Sequence, residues 1–170
     1  MITPAYCTTM ARYNEWMNER LYHACTALTD EVRKRDRGAF FGSMHRTLNH
    51  LLWGDRMWLG RLTGPPCDVP AFGADAIADF AVLRETRRHT DAAMLAWAGS
   101  VTEEMLAGNL EYRSAVDGRT RRLPQALAAM HMFNHGIHHR GQLTTLLSQE
   151  GVDPGPTDLP WMPGLVEIVA

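Results

Sequence analysis

Apolar residues recur at steps of three and four along most of this chain, and that spacing places them on one face of a helix. Ser43 is a suitable N-cap for the second such stretch, and Thr63-Gly-Pro-Pro ends it. Pro124 fits the first turn of the last stretch, and Gly151 follows its end. The predicted helices cover residues 8–28, 43–62, 75 or 79 to 98, and 124–150. Because their apolar faces must bury against one another, we predict an all-α fold.

The segment between the third and last helices has a different pattern. Residues 109–116 and 119–123 flank Asp117-Gly118, a pair that supplies the positive φ angles of a tight turn. We therefore predict a four-helix bundle with a small β-hairpin inserted before the last helix, in one domain spanning residues 1–170. After the last helix we expect an ordered loop in which Trp161 and Met162 pack back on the helices.

Charge and composition exclude several classes of protein. The net charge is −2 and no dense run of lysine or arginine occurs, so we predict no binding to nucleic acid or to a membrane surface. No stretch has the roughly 18 apolar residues of a membrane span, and no secretory signal is evident. Cys7, Cys25 and Cys67 are odd in number and widely spaced, which favours reduced thiols in a cytoplasmic protein.

Four histidines lie within nine residues of the last predicted helix: His131, His135, His138 and His139. Residues four apart lie nearly above one another on a helix, so three of these histidines form a ladder on one face. Neutral imidazoles stacked in this way suit Zn²⁺ or Ni²⁺ and disfavour Mg²⁺ or Ca²⁺. The alternative is a polar stripe of surface or hydrogen-bonded core histidines, and the spacing alone leaves both interpretations open.

Two further features favour the metal site. Apolar residues flank the ladder, so part of it is expected to turn inward. His50 lies in an otherwise apolar helix and is well placed to supply a ligand from a neighbouring helix. We interpret the remaining histidines, His23, His45 and His89, as surface residues.

Several neighbours are candidates for support of the site. His138 is offset sideways from the ladder by about 60°, and it is a candidate for exchanging protons or hydrogen bonds beside the ligands, as is His131 one turn below. Ligating imidazoles need their second nitrogen oriented by another group. Asp55 is the candidate carboxylate, and the alternative for it is an ion pair at the bundle surface. Asn134 and Gln142 offer amides, and Gly141 is the candidate for a close helix approach.

Three motifs along the chain carry a resemblance to a known family. They are Ala11-Arg-Tyr-Asn-Glu-Trp16-Met-Asn-Glu-Arg-Leu21, Thr47-Leu-Asn-His50-Leu-Leu-Trp-Gly-Asp-Arg-Met-Trp58-Leu, and Asn134-His135-Gly-Ile-His138-His139-Arg-Gly-Gln142. With these motifs the chain resembles the DinB family. The resemblance covers nearly the whole chain, and the combination of motifs is more specific than any one of them.

This resemblance implies an up-down-down-up four-helix bundle and a zinc or nickel ion held by His50, His135 and His139. It also implies a homodimer and, from related bundles, an enzyme that uses a low-molecular-weight thiol. The expected reaction is transfer of that thiol to a small electrophile, or a related isomerisation. Arg140 and the arginines of the hairpin are generic candidates for binding carboxylates of the thiol.

Two alternatives to thiol transfer stay open. One is metal-assisted hydrolysis, although the zincin pattern His-Glu-x-x-His is absent and Gly136 stands where its general base would lie. The other is a non-catalytic helical dimer in which the histidines hold metal for stability or sensing. The catalytic role of any residue other than the ligands is unassigned by the sequence.

Overall fold

The computed structural model describes residues 1–64, 77–114 and 117–167. Within these ranges the fold is mostly helical, with one two-stranded antiparallel hairpin, as the sequence predicted. The helices and strands are α1 (Pro4–Thr26), α2 (Asp30–Lys34), α3 (Met44–Thr63), α4 (Phe80–Ser100), α5 (Glu103–Ala107), β1 (Asn109–Arg113), β2 (Thr120–Pro124) and α6 (Gln125–Gln149).

Side-chain caps define where three of the four long helices begin. Thr3 caps α1 and Pro4 occupies its first turn, so this helix starts earlier than predicted. Ser43 accepts a hydrogen bond from the first turn of α3, which confirms it as the N-cap. Asp79 does the same for α4 and decides between the two predicted starts. The other predicted start, Asp75, lies outside the described residues.

Each long helix packs against two others: α1 lies against α4 and α6, and α3 lies against the same pair. The apolar stripes meet in one core. The up-down-down-up order of the four helices stays a prediction. Fully buried side chains from all four helices build this core, among them Met17, Leu21, Leu48, Leu83, Met94, Phe133 and Leu147.

Two short helices were not predicted. Both α2 and α5 have five residues, too few to show a helical period. Each is capped by a threonine, Thr29 or Thr102, whose side chain accepts a hydrogen bond from the backbone of the first turn. The threonine caps are the local sequence signal for these two helices, which are too short for the helical periodicity to show.

The hairpin differs from the prediction in its turn. Its register pairs Tyr112 with Arg121 and Arg113 with Thr120, so β1 ends at Arg113, β2 begins at Thr120, and the strands do not extend to a two-residue turn at 117 and 118. Gly118 has a φ of 69°, as a turn glycine requires. Residues 115 and 116 of the predicted hairpin lie outside the described residues.

Of the two tail residues expected to pack on the helices, one does so. Met162 is 3% exposed and joins the core, whereas Trp161 is 66% exposed, so that half of the prediction was wrong. Backbone carbonyls of the tail are held by α1, where Tyr13 donates to Thr157 and Arg20 donates to Pro154. These hydrogen bonds anchor the tail without burying the indole.

None of the described helices is long and apolar enough to cross a membrane. Cys7 and Cys25 are free thiols in the interior, and burial raises their pKa to about 11 and about 12. Both are therefore protonated and inert near neutral pH. Cys67 lies outside the described residues.

Candidate metal centre

Three histidines from two helices meet at one edge of the bundle. His135 and His139 lie one turn apart on α6, and His50 comes from α3, which packs against it. One nitrogen from each ring lies within 4.8 Å of those of the other two, and His50 Nε2 is 2.9 Å from His135 Nε2. The structure thus brings together the three residues that the resemblance implied as ligands. Their binding of a metal stays a prediction.

Gly54 makes the close approach of α3 and α6 possible. It lies one turn after His50, and a Cβ built on it would be 2.5 Å from Cε1 of His135. A glycine inside a helix costs about 1 kcal/mol relative to alanine, so its presence here has a packing reason. Gly141 was predicted for this role, but nothing lies within 4 Å of a Cβ built there. That prediction was wrong.

Burial makes the three imidazoles neutral. It lowers the pKa of His50 to about 4, with a further contribution from His139. It lowers the pKa of His135 to about 3, and here the neighbouring His139 and His50 add to the effect. The pKa of His139 is also lowered by burial, although its hydrogen bond to Gln142 opposes the shift. Neutral imidazoles are the form that binds a metal, so this donor set fits zinc or nickel.

Gln142 sets the orientation of one ligand. Its amide oxygen lies 2.8 Å from Nδ1 of His139. An amide oxygen only accepts, so Nδ1 carries the proton and Nε2 keeps its lone pair for a metal. The same amide has its nitrogen 3.2 Å from Nε2 of His138. The spacing of three residues between His139 and Gln142 on one helix is the sequence signal for this contact.

Asp55 does not orient His50 as the sequence analysis suggested. It is 1% exposed, and its Oδ2 is 2.8 Å from Arg87 Nη1 in the bundle interior. The alternative of an ion pair at the surface was wrong as well, since the partner is a buried arginine of α4. The other carboxylate oxygen of Asp55, Oδ1, is buried without a hydrogen-bond partner among the described residues, and so is Nδ1 of His135. The charge of Asp55 raises the pKa of His135, but burial has the stronger, opposite effect.

The other candidate histidines lie outside the cluster. The ring of His131 is 6.0 Å from that of His135 and packs edge-on against Trp58 at 4.7 Å. His138 is exposed and touches the ligand set through the ring of His139 and through the shared glutamine. A role beside the ligands stays a prediction for both.

His45 was predicted to be a surface residue, but it is 3% exposed. Its Nε2 lies 2.9 Å from the backbone carbonyl oxygen of Ile77, which connects the start of α3 to the segment before α4. This is a hydrogen-bonded core histidine, the alternative considered for the ladder. His23 and His89 are exposed, as predicted.

Two clefts give solvent access to the cluster. One, of about 530 Å³, is lined by Phe41, Trp53 and His50, and Phe41 stacks on the imidazole of His50 with ring centres 3.9 Å apart. The other, of about 340 Å³, lies between α3, the hairpin and α6 and is lined by both His50 and His135. Volumes of this size suit small molecules. A metal held by three protein ligands with solvent access keeps open positions, which is the pattern of a reactive site.

Arg140, a generic candidate for binding a ligand carboxylate, borders neither of these clefts. It is 3% exposed, donates a hydrogen bond to the side-chain oxygen of Asn14, and lies over the ring of Tyr13. Its guanidinium therefore belongs to the interior of the bundle.

Comparisons with known proteins agree with this fold. The family model described as the DinB family matches residues 1–166. Protein DinB of Bacillus subtilis (strain 168) is 23% identical over 150 residues, which cover 86% of this chain and 87% of that protein. The crystal structure of a DinB-like protein from Bacillus cereus ATCC 10987 is similar with a TM-score of 0.60 and 19% identity, covering 88% of this chain and 91% of that one. At this identity the structural likeness shows the fold alone.

Proposed function

This chain belongs to the DinB family, and on that premise we propose that it is a metal-dependent enzyme that transfers a low-molecular-weight thiol to a small electrophile or catalyses a related isomerisation. The proposed ligands of a zinc or nickel ion are His50, His135 and His139. The observation that carries the proposal is the cluster of these three neutral imidazoles beside two open clefts. A homodimer and a cytoplasmic location are further expectations from the family resemblance and from the cysteine pattern.

The proposed reaction uses a sulfur nucleophile from outside the chain. Cys7 and Cys25 are buried and protonated, so among the described residues no cysteine is available as a nucleophile. A zinc or nickel ion, when bound, would favour the thiolate form of a bound thiol near neutral pH. In transfer, a carbon–sulfur bond forms, the bond from that carbon to its leaving group breaks with its electron pair, and the thiol proton passes to solvent.

The chain's own residues contribute binding and orientation to this chemistry. Gln142 holds His139 in the tautomer that presents Nε2 to the metal. Phe41 and Trp53 cover two sides of the His50 ring and limit its rotation. Metal-assisted hydrolysis is the second candidate, but the helix position of a zincin general base is Gly136, which faces Arg140 and not a carboxylate.

The first test is the metal content of tag-free protein, measured by elemental mass spectrometry. We expect about one zinc or nickel ion per chain, lost in a His50→Ala/His135→Ala double variant. The matched control is His23→Ala/His89→Ala, which removes two exposed histidines far from the cluster and should keep the metal. A wild-type protein that is metal-free and also refuses added zinc and nickel would refute the three-histidine site, and with it the enzyme.

The second test separates a catalytic metal from a structural one. Metal-loaded protein is assayed with small thiols and an aryl halide electrophile, and the His135→Ala variant is followed by thermal unfolding. A catalytic site predicts loss of turnover and metal with a modest change in melting temperature. A structural site predicts no turnover and a large loss of stability, because metal binding there is folding energy.

A further inference from the structure

The cleft between α3, the hairpin and α6 is lined by two of the proposed ligand histidines and by two arginines. His50 and His135 line it together with Arg61 of α3 and Arg121 of β2. Tyr112 and Arg121 are cross-strand partners, so both side chains project from the same face of the hairpin. The hairpin thus forms the wall of the cleft that lies across from α3.

Arg61 is held in place by aromatic rings. Its guanidinium carbon lies 4.6 Å from the ring centre of Trp58 and 4.0 Å from that of Tyr112. One of its nitrogens also lies 3.4 Å from the backbone carbonyl of Arg113, which it donates to weakly. These contacts restrict the side chain, so little rotational freedom remains to be lost when it binds a ligand.

No residue that the structure describes neutralises the charge of Arg61. Among the residues that the structure describes, no carboxylate forms an ion pair with it. Burial lowers its pKa, and nearby Arg121 adds to that effect, but an arginine remains charged in a protein. A half-buried cation of this kind gains by binding an anion.

Arg121 differs from Arg61 in this respect. Its two terminal nitrogens lie 2.8 Å from the two oxygens of Asp117, so its planar fork already has a carboxylate. Within the described part of the chain, the cleft therefore contains one arginine that is paired with a carboxylate and one that is not. The unpaired one shares a cavity of about 340 Å³ with two of the three histidines.

We propose that Arg61 binds the carboxylate of a small substrate whose reactive end reaches the three-histidine cluster along this cleft. The rings of Trp58 and Tyr112 supply an aromatic surface for the body of such a molecule, and Met57 adds an apolar one. The substrate class is thus a small carboxylic acid with an apolar or aromatic body, carrying the thiol or the electrophilic carbon. The inference rests on the proposed function for what happens at the metal end, but the carboxylate contact stands on Arg61 alone.

The first experiment tests Arg61 without a metal. Metal-free protein is titrated with 3-phenylpropionate and with the uncharged 3-phenyl-1-propanol, and binding is followed by NMR. We expect the acid to bind about tenfold more tightly than the alcohol, and Arg61→Gln to abolish that preference. Arg122→Gln is the matched control, since Arg122 neighbours Arg121 on the same strand, points to the opposite face and should leave the preference intact. Equal binding of acid and alcohol by the wild-type protein would overturn the proposal.

A second measurement needs no variant. Phenylglyoxal modifies accessible arginines, and mass spectrometry locates the sites. We expect 3-phenylpropionate to protect Arg61 and to leave Arg122 unprotected. Protection of neither arginine, or of both equally, would contradict a carboxylate site at Arg61 even if Arg61→Gln failed to fold.

The third experiment tests whether one molecule can contact both Arg61 and a metal at the histidine cluster. Cobalt-loaded protein is titrated with 3-mercaptopropionate and with 1-propanethiol, and the visible absorption of cobalt reports binding of sulfur. We expect the acidic thiol to bind about tenfold more tightly in the wild-type protein, and equally tightly as the neutral thiol in Arg61→Gln. If neither thiol binds to the wild-type protein, while 3-phenylpropionate still binds more tightly than the alcohol, the proposed function is refuted and the Arg61 site stands.

Discussion

Two polar clusters lie in this bundle, and they reduce the energetic cost of buried charge in opposite ways. Around Arg87, whose nitrogens lie 2.8 Å from Asp55 and 2.7 Å from Asp91, opposite charges compensate one another, and Asn14 and Asn18 donate to the same carboxylates. The histidine cluster instead loses its protons, because burial lowers the pKa of its members.

The difference indicates which cluster is free to do chemistry. The ionic cluster is closed, since all five of its side chains are buried and the charges are paired within the protein. The histidine cluster holds one nitrogen of each ring within 4.8 Å of the others and borders two clefts. The closed cluster is therefore expected to govern stability, and the open one to govern ligand binding.

The largest expected effect is on the ionic cluster. Arg87→Met leaves two buried carboxylates without their cation, and we expect a loss of about 3–5 kcal/mol in the free energy of unfolding. Urea unfolding of metal-free protein measures it. The control is Arg88→Met, which removes an exposed ion pair with Glu85 and should change stability by less than about 1 kcal/mol. A similar small change in both variants would show that the buried cluster is not a determinant of stability.

The next effect is on the histidine cluster, where we expect a change in metal affinity and not in stability. Gly54→Ala places a Cβ against the His135 ring, so the ring must move, and we expect zinc affinity to fall by about a hundredfold. The gain in helix propensity offsets part of the strain. Competition with a chelator gives the affinity. Gly141→Ala, where nothing lies within 4 Å, should keep the affinity and leave the helix slightly more stable.

A smaller effect is expected at Gln142. Gln142→Leu removes the acceptor that holds Nδ1 of His139, and we expect a loss of about tenfold in zinc affinity with little change in urea unfolding. Gln142→Glu restores an acceptor and should recover most of the affinity. If the Gln142→Leu variant binds zinc as tightly as the wild-type protein, the orientation of His139 does not depend on this residue.

The last effect is on the pH dependence of the metal-free protein. The folded pKa values of His50 and His135, about 4 and about 3, lie below the ordinary value of about 6.5, so the unfolded chain binds more protons. Stability contributed by these neutral rings is present above pH 6.5 and is lost as the pH falls through these two folded pKa values. Urea unfolding at a series of pH values should show this slope, and it should flatten in the His50→Ala/His135→Ala variant. An unchanged slope in that variant would exclude these two histidines as its source.

Local patterns predicted the long helices and the histidine ladder. The helical period located all four long helices, Ser43 caps α3 as predicted, and Asp79, one of the two predicted starts, caps α4. His135 and His139 were recognisable as neighbours because four residues make about one helical turn. The turn of the hairpin and the exposed Trp161 were not predicted correctly. An Asp-Gly pair indicates a turn but not the residues at which the strands end, and an apolar side chain is not by itself evidence of burial.

The sequence by itself determined the helices, the spacing of the histidine ladder and the family, since these depend on residues near one another in the chain or on the chain as a pattern. Only the tertiary structure decided what meets across the helices. It brought Gly54 against the ring of His135, paired Asp55 with Arg87 and not with a histidine, and packed Arg61 between two aromatic rings with no carboxylate partner among the described residues. Such pairings depend on helix rotation and packing distance, which side chains from all four helices settle together.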